Sequence, residues 1–204
     1  AFTNIIGAAK LTGRFENGVA IGVIDALTER VTGGASTTIE PQTNYLIFRA
    51  VRELNGGRAQ FGTEITDVRR QLDAATEPYL RRSATSAIFQ GYSNLWNDEW
   101  RAMAYLGLNH VEGSRSAIAY TQQNSVHYFQ RPDRRVMDGG FFGGRYDTTA
   151  TVMRGWGLYT RVAKDGGNWL WELAQNWRSP AFEVNDAAYL DRTAYRWMNG
   201  NVAR

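Results

Sequence analysis

The chain has no cysteine, and only 4 of its 204 residues are proline. Without cysteine there is no disulfide framework, no thiolate metal site and no cysteine nucleophile. Proline cannot donate to a ladder, so its scarcity leaves long stretches free to pair in a sheet. No apolar run reaches the roughly 18 residues that a membrane-crossing helix needs. Neither charge is in large excess: 23 Lys and Arg stand against 20 Asp and Glu, a net of +3. The basic residues are dispersed rather than clustered, so no nucleic-acid partner is expected. No GxSxG, Ser-x-x-Lys, P-loop, HxH, HExxH or CxxC spacing occurs, and no catalytic residue, cofactor or metal site is predicted.

What is abundant is aromatic side chains and glycine: 7 Trp, 10 Tyr, 9 Phe and 21 Gly. Aromatic girdles and alternating strands are the composition of outer-membrane barrels. The negative mean hydropathy, −0.43, is compatible with that class, because half of each strand faces a polar lumen. A soluble β-sandwich with a large aromatic core fits the same composition.

The pattern is clearest in the hairpin 43–68, "TNYLIFRAVREL", "NGG", "RAQFGTEITDV". In its second arm Ala59, Phe61, Thr63 and Ile65 alternate with Arg58, Gln60, Gly62, Glu64 and Thr66. A strand has a period of two, so one face is apolar and the other polar. In the first arm Leu46, Phe48, Ala50 and Leu54 oppose Tyr45, Arg49 and Glu53. Arg52 interrupts that apolar face near the turn, where a long side chain reaches a wet interface. Asn55-Gly56-Gly57 supplies residues that tolerate positive φ. Each arm has about the 9–11 residues of a tilted membrane-crossing strand.

The same reading gives nine strands, at 4–15, 19–30, 43–54, 58–68, 80–95, 99–111, 148–163, 168–177 and 192–198. Residues 116–125 suit a short helix. Asn199-Gly200 reads as a type I′ turn, with a tenth strand begun after it. Connections alternate short and long, and each long one holds one proline: Pro41, Pro78, Pro132 and Pro180. Short turns at one rim and long loops at the other describe an outer-membrane barrel; Greek-key sandwiches do not require such alternation. The predicted fold is therefore all-β, an antiparallel up-and-down transmembrane barrel in one domain, 1–204, with a long extracellular loop near 112–147. Bacterial single-chain barrels have even strand numbers, so a nine- to ten-stranded segment of a larger barrel is the related expectation.

In this parse Lys10, Arg14, Arg49, Arg58, Glu64, Arg101, Arg161, Glu172 and Arg178 fall on polar strand faces and would line the lumen. They would either set the selectivity of a pore or fill it as a salt-bridged ladder. Phe15, Trp96, Trp100, Trp156, Trp169, Trp177 and Trp197 lie near proposed strand ends and read as interfacial anchors. His127, Tyr128, Phe129, Gln130 and Arg131 form a loop cluster expected to pack over the barrel mouth. Glu183 and Asp186 share a loop and are close enough to meet, but local backbone bonding is the commoner role for such carboxylates. The glycine pairs at Gly139-Gly140 and Gly143-Gly144 lack the Lys-Ser of a phosphate cradle and read as loop.

Four stretches carry a resemblance: "KLTGRFENG" (10–18), "IEPQTNYLIFRAVRELNGGRAQFG" (39–62), "SAIAYTQQNSVHYFQRPD" (116–133) and "SPAFEVND" (179–186). Together they resemble the outer-membrane β-barrel region of a family of large bacterial proteins of unknown function. Those proteins usually carry an N-terminal carbohydrate-binding family 9-like domain. The resemblance implies a bacterial outer-membrane location and a parent longer than 204 residues. The sugar-binding-like domain has no counterpart here, and no catalytic residues transfer.

The functional expectation is a non-enzymatic outer-membrane barrel, a pore or a scaffold in a surface assembly. Its partners would be outer-membrane lipid, other outer-membrane or periplasmic subunits, or the rest of a longer barrel. Two alternatives stand beside it: a carbohydrate-binding or carbohydrate-processing surface protein acting through extracellular loops, and a soluble β-sandwich interaction domain.

Overall fold

In the computed structural model, which describes residues 3–131 and 144–204, the alternating stretches pair as the period of two demands. The long strands are β1 (Ile5–Arg14), β2 (Val19–Thr28), β5 (Thr43–Leu54), β6 (Ala59–Arg70), β7 (Arg81–Leu95), β8 (Trp100–Gly113), β9 (Val152–Lys164), β10 (Leu170–Arg178) and β11 (Tyr195–Ala203). They form one nine-stranded sheet, antiparallel throughout, each strand beside its sequence neighbour in the order β1-β2-β5-β6-β7-β8-β9-β10-β11. The first long connection contributes a separate two-stranded ribbon, β3 (Val31–Thr32) and β4 (Thr38–Glu40), which the sequence reading leaves as loop. The sheet is not closed: β1 and β11 are its two edges.

Short turns join β1 to β2, β5 to β6, β7 to β8 and β9 to β10, and long connections join the rest. Asn55, Gly56 and Gly57 take φ of 53°, 65° and 90°, the left-handed conformations the hairpin requires. Trp96, Asn97 and Asp98 do the same at 47°, 59° and 65° without a glycine. The expected turn at Asn199-Gly200 does not form. Asn199 pairs with Ala174 and Gly200 with Leu173 inside β11, which continues to Ala203 against Leu170. A ladder along the whole of β10 outweighs a local turn preference, and no tenth strand begins at 201–204.

Cross-strand partners share a face, so the register sorts the side chains into two surfaces. One apolar row runs Leu11, Val23, Phe48, Ile65, Ala87, Leu108, Trp156 across neighbouring strands. The next runs Ile21, Ala50, Thr63, Phe89, Leu106, Leu158, Trp177. Much of this surface is exposed: Leu11 62 %, Phe61 53 %, Phe89 49 % and Leu173 51 %. Towards the long connections the same face turns polar, at Asp25, Asp67, Thr85, His110 and Arg154. On β8 the apolar run from Trp100 to Leu108 measures roughly 27 Å along the strand at the usual antiparallel rise.

The buried core lies on the opposite face, at the long-connection end. Val68, Ala84, Val111 and Met153 form a row across β6 to β9. Ile118 of the helix α1 (Arg115–Gln123) and Phe129 pack onto it. Ser114 caps α1, its Oγ accepting from the Ala117 N–H at 3.2 Å. Each large apolar side chain buried here contributes about 1.5–3 kcal/mol, which holds the 115–129 segment against the sheet.

Candidate functional site

The register places Lys10, Arg14, Arg49, Glu64, Arg101, Arg161, Glu172 and Arg178 on one face, the face that carries the buried core. Several are paired. Arg14 reaches Glu53 at 2.5 Å and Arg161 reaches Glu172 at 2.6 Å. Arg49 stands directly opposite Glu64, and the Arg101 guanidinium lies 4.4 Å above the Tyr92 ring. Arg58 sits in the turn before β6, where its Nε donates to Asp98 across the two neighbouring turns at 2.9 Å. Arg178 donates to Asp191 and to the Arg192 carbonyl, both at 3.1 Å, so it holds a long connection.

That connection, residues 179–194, folds down onto the polar face. Phe182 lies over Gly107 and Gly157, where a Cβ would come within 3.0 and 3.2 Å of its ring. At Gly155 a Cβ would collide with the backbone of Ala181 and Phe182. Three glycines on β8 and β9 thus make a smooth floor against which backbone can lie.

Beneath this fold is a buried charged cluster. His127 and Glu183 have no side-chain exposure and meet at 2.8 Å, Nε2 to Oε2. His127 Nδ1 lies 2.8 Å from the Pro180 carbonyl, which can only accept. Both ring nitrogens therefore have oxygen partners at hydrogen-bond distance. Arg81 Nη1 stands 3.1 Å from Glu183 and its Nε 2.8 Å from Asp186 Oδ2. Those are contacts of charge: Asp186 Oδ2 accepts no aligned hydrogen bond. Arg70 donates to Asp186 Oδ1 at 2.7 Å. The Asn185 N–H donates to Glu183 Oε1 at 2.7 Å. Burial pushes the Glu183 carboxyl up, but the His127 hydrogen bond, the Arg81 charge and the Asn185 N–H outweigh it, and the net is below the usual value. Glu183 and Asp186 are brought together through Arg81, and with Arg70 and His127 they form a latch between β6, β7 and two connections.

The predicted loop cluster divides. His127 is in the latch and Phe129 is in the core, their rings edge-on at 5.9 Å. Tyr128 is exposed with φ 47°, and the Gln130 side chain donates to the Gln123 carbonyl at 3.1 Å. Arg131 donates its backbone N–H to the Tyr128 carbonyl. Pro132, Gly139, Gly140 and Gly143 lie outside the described residues. Among the described residues no group of three potential metal ligands occurs. The aromatics also divide. Trp96, Trp100 and Trp171 stack edge-on at the turn end, at 5.1 and 4.6 Å. Phe15 and Trp169 are exposed near the same end, while Trp177 carries Arg196 over its ring at 4.2 Å at the other. Trp156 is buried within β9, and Trp197 shares the polar face with Asn176 and Tyr159; neither fits the expected anchor. Arg81 and Arg70, which complete the latch, are missed by sequence reasoning. The one signal is that Arg70 and Arg81 flank a polar connection, and that Val68, two residues before Arg70, breaks the strand alternation.

These features define a class: an antiparallel β-meander with chemically opposite faces and the segments 115–129 and 179–186 packed onto the polar one. No protein-family model, curated protein or solved structure matches the chain.

Proposed function

We propose that the chain is barrel wall: part or all of a bacterial outer-membrane β-barrel, its apolar face against lipid and its polar face lining a lumen. The observation that carries this reading is the exposed apolar face itself. Rows of large apolar side chains cross neighbouring strands. The only other sheet among the described residues, the β3–β4 ribbon, has two strands and is too small to cover them. A sandwich would bury that face under a second sheet. The turn-end aromatics and the polar ends beyond the apolar run suit the two membrane interfaces.

Backbone pairing must be complete in lipid, and nine alternating strands leave β1 and β11 running in the same direction. Closure therefore takes either a parallel β1–β11 seam or an odd number of further antiparallel strands. The connections folded onto the polar face narrow the lumen at the long-loop end, so the protein acts as a restricted pore or a scaffold. In this reading it is not an enzyme, and Glu183 and Asp186 serve the latch. The test is gel mobility of the detergent-folded chain with and without boiling, beside its behaviour without detergent. A heat-dependent shift and insertion into vesicles are expected. A soluble, cooperatively melting monomer with no shift would sink the proposal.

A further inference from the structure

The polar face also carries an aromatic row beside the charge ladder. Tyr105, Tyr159, Asn176 and Trp197 are consecutive cross-strand partners on β8, β9, β10 and β11. Tyr105 and Trp197 are 40 % and 45 % exposed, although they share the polar face. The Tyr105 and Tyr159 rings lie 5.9 Å apart, inclined at 58°. Tyr159, Asn176 and Trp197 open into a pocket of about 610 Å³, with Asp191 and Arg192 on its rim. That is within the range of small-molecule sites, roughly 300–1,000 Å³. The folded 179–194 connection supplies the rim, and Arg178 fixes it through Asp191.

We propose that this pocket binds a neutral oligosaccharide. A pyranose presents a face of C–H bonds, slightly positive, to the negative face of an aromatic ring, while its edge presents hydroxyls that donate and accept. Tyr159 and Trp197 supply rings two strands apart, roughly 10 Å at the usual strand spacing, the span of two linked sugar rings. Asn176 lies between them, and its amide both donates and accepts. Asp191 is an ionised acceptor: its own N–H and the Arg178 guanidinium hold it below the usual carboxylate range. Arg192 adds donors at the rim. Arg196 also lines the pocket, its guanidinium held 4.2 Å over the Trp177 ring, so the rim carries Asp191 beside two arginines, and a neutral polyhydroxyl ligand can bond to either sign. Tyr195 is not a stacking ring, because Arg178 and Arg192 lie over it at 5.1 and 5.7 Å. The site stands on the polar face and does not rest on what the apolar face contacts.

The test is isothermal titration of the folded 204-residue chain with maltohexaose and with cellohexaose, with tetramethylammonium and benzoate as charged controls. Saturable binding of at least one hexasaccharide is expected. Trp197→Ala and Asn176→Ala should each weaken it tenfold or more, Trp197→Phe by less than about threefold, and Leu173→Ala on the other face not at all. Circular dichroism of each variant shows that it has kept its sheet. Three results would overturn the proposal: no binding of either hexasaccharide by the folded chain, binding unchanged by Trp197→Ala, or tighter binding of a charged control. Loss of sugar binding with an intact heat-dependent gel shift would leave the barrel reading standing.

Discussion

His127 and Glu183 lie 56 positions apart and share a 2.8 Å hydrogen bond with no exposure of either side chain. The bond ties the segment after α1 to the connection after β10. Arg81 extends it to the sheet. Removing the carboxylate charge leaves His127 and Arg81 facing a neutral amide in a buried site. Breaking one partner of a buried pair costs about 3–5 kcal/mol. Glu183→Gln should therefore release the 179–194 connection, read as faster proteolysis within it while the sheet signal in circular dichroism persists. Unchanged proteolysis would show that the apolar contacts of Phe182 suffice.

The same group sets a pH dependence. The Glu183 carboxyl titrates below its unfolded value of 4.5 in the folded chain. A depressed folded value means the latch contributes fully above about pH 4.5 and loses its contribution as pH falls through the folded value. Protease sensitivity of the 179–194 connection should thus stay constant from pH 7 to 5 and rise below pH 4.5, measured with an acid-active protease. Glu183→Gln should flatten that rise. A rise already complete above pH 5, or one that Glu183→Gln leaves unchanged, would take the switch away from Glu183.

The glycine floor gives a third expectation. A Cβ at position 155 has no room, because the atoms it meets are backbone. Gly155→Ala should lift the 179–186 segment, at a cost of about 1–3 kcal/mol for overpacking. Gly22 has open space around its missing Cβ, so Gly22→Ala is the matched control. In planar bilayers the Gly155→Ala chain should show larger single-channel conductance than the Gly22→Ala chain. Equal conductance would mean that the connection does not narrow the passage.

Much of the sheet was legible because strand alternation is local: the charges on Arg49, Glu64, Arg101 and Arg161 betray one face from the sequence alone. The long connections were legible as lengths but not as structures. Val68 and Val111 are valines on the polar face, and that break in alternation was the visible trace of a docking row for Ile118 and Phe129. The latch was illegible because His127, Glu183, Arg70 and Arg81 come from four segments, and each is ordinary in its own. Asn199-Gly200 misled for the converse reason: its turn preference is local, while its pairing with β10 is not.

The apolar face yields the sharpest test of the membrane reading. Leu106 sits in mid-sheet between Phe89 and Leu158, 36 % exposed. In lipid, an arginine there costs about 2–4 kcal/mol near the midplane. On a water-facing sheet the same change usually stays within about 0.5 kcal/mol. Gln90, next to Phe89 on β7, is on the polar face, opposite Tyr105 of β8. Urea titration of the chain folded into phosphatidylcholine vesicles, followed by tryptophan fluorescence, compares the two sites directly. Leu106→Arg should lower the folding free energy by about 2 kcal/mol or more, and Gln90→Arg should change it by less than about 1 kcal/mol. Similar small effects at both sites would place the apolar face in water. A larger loss at Gln90 would turn the sheet inside out.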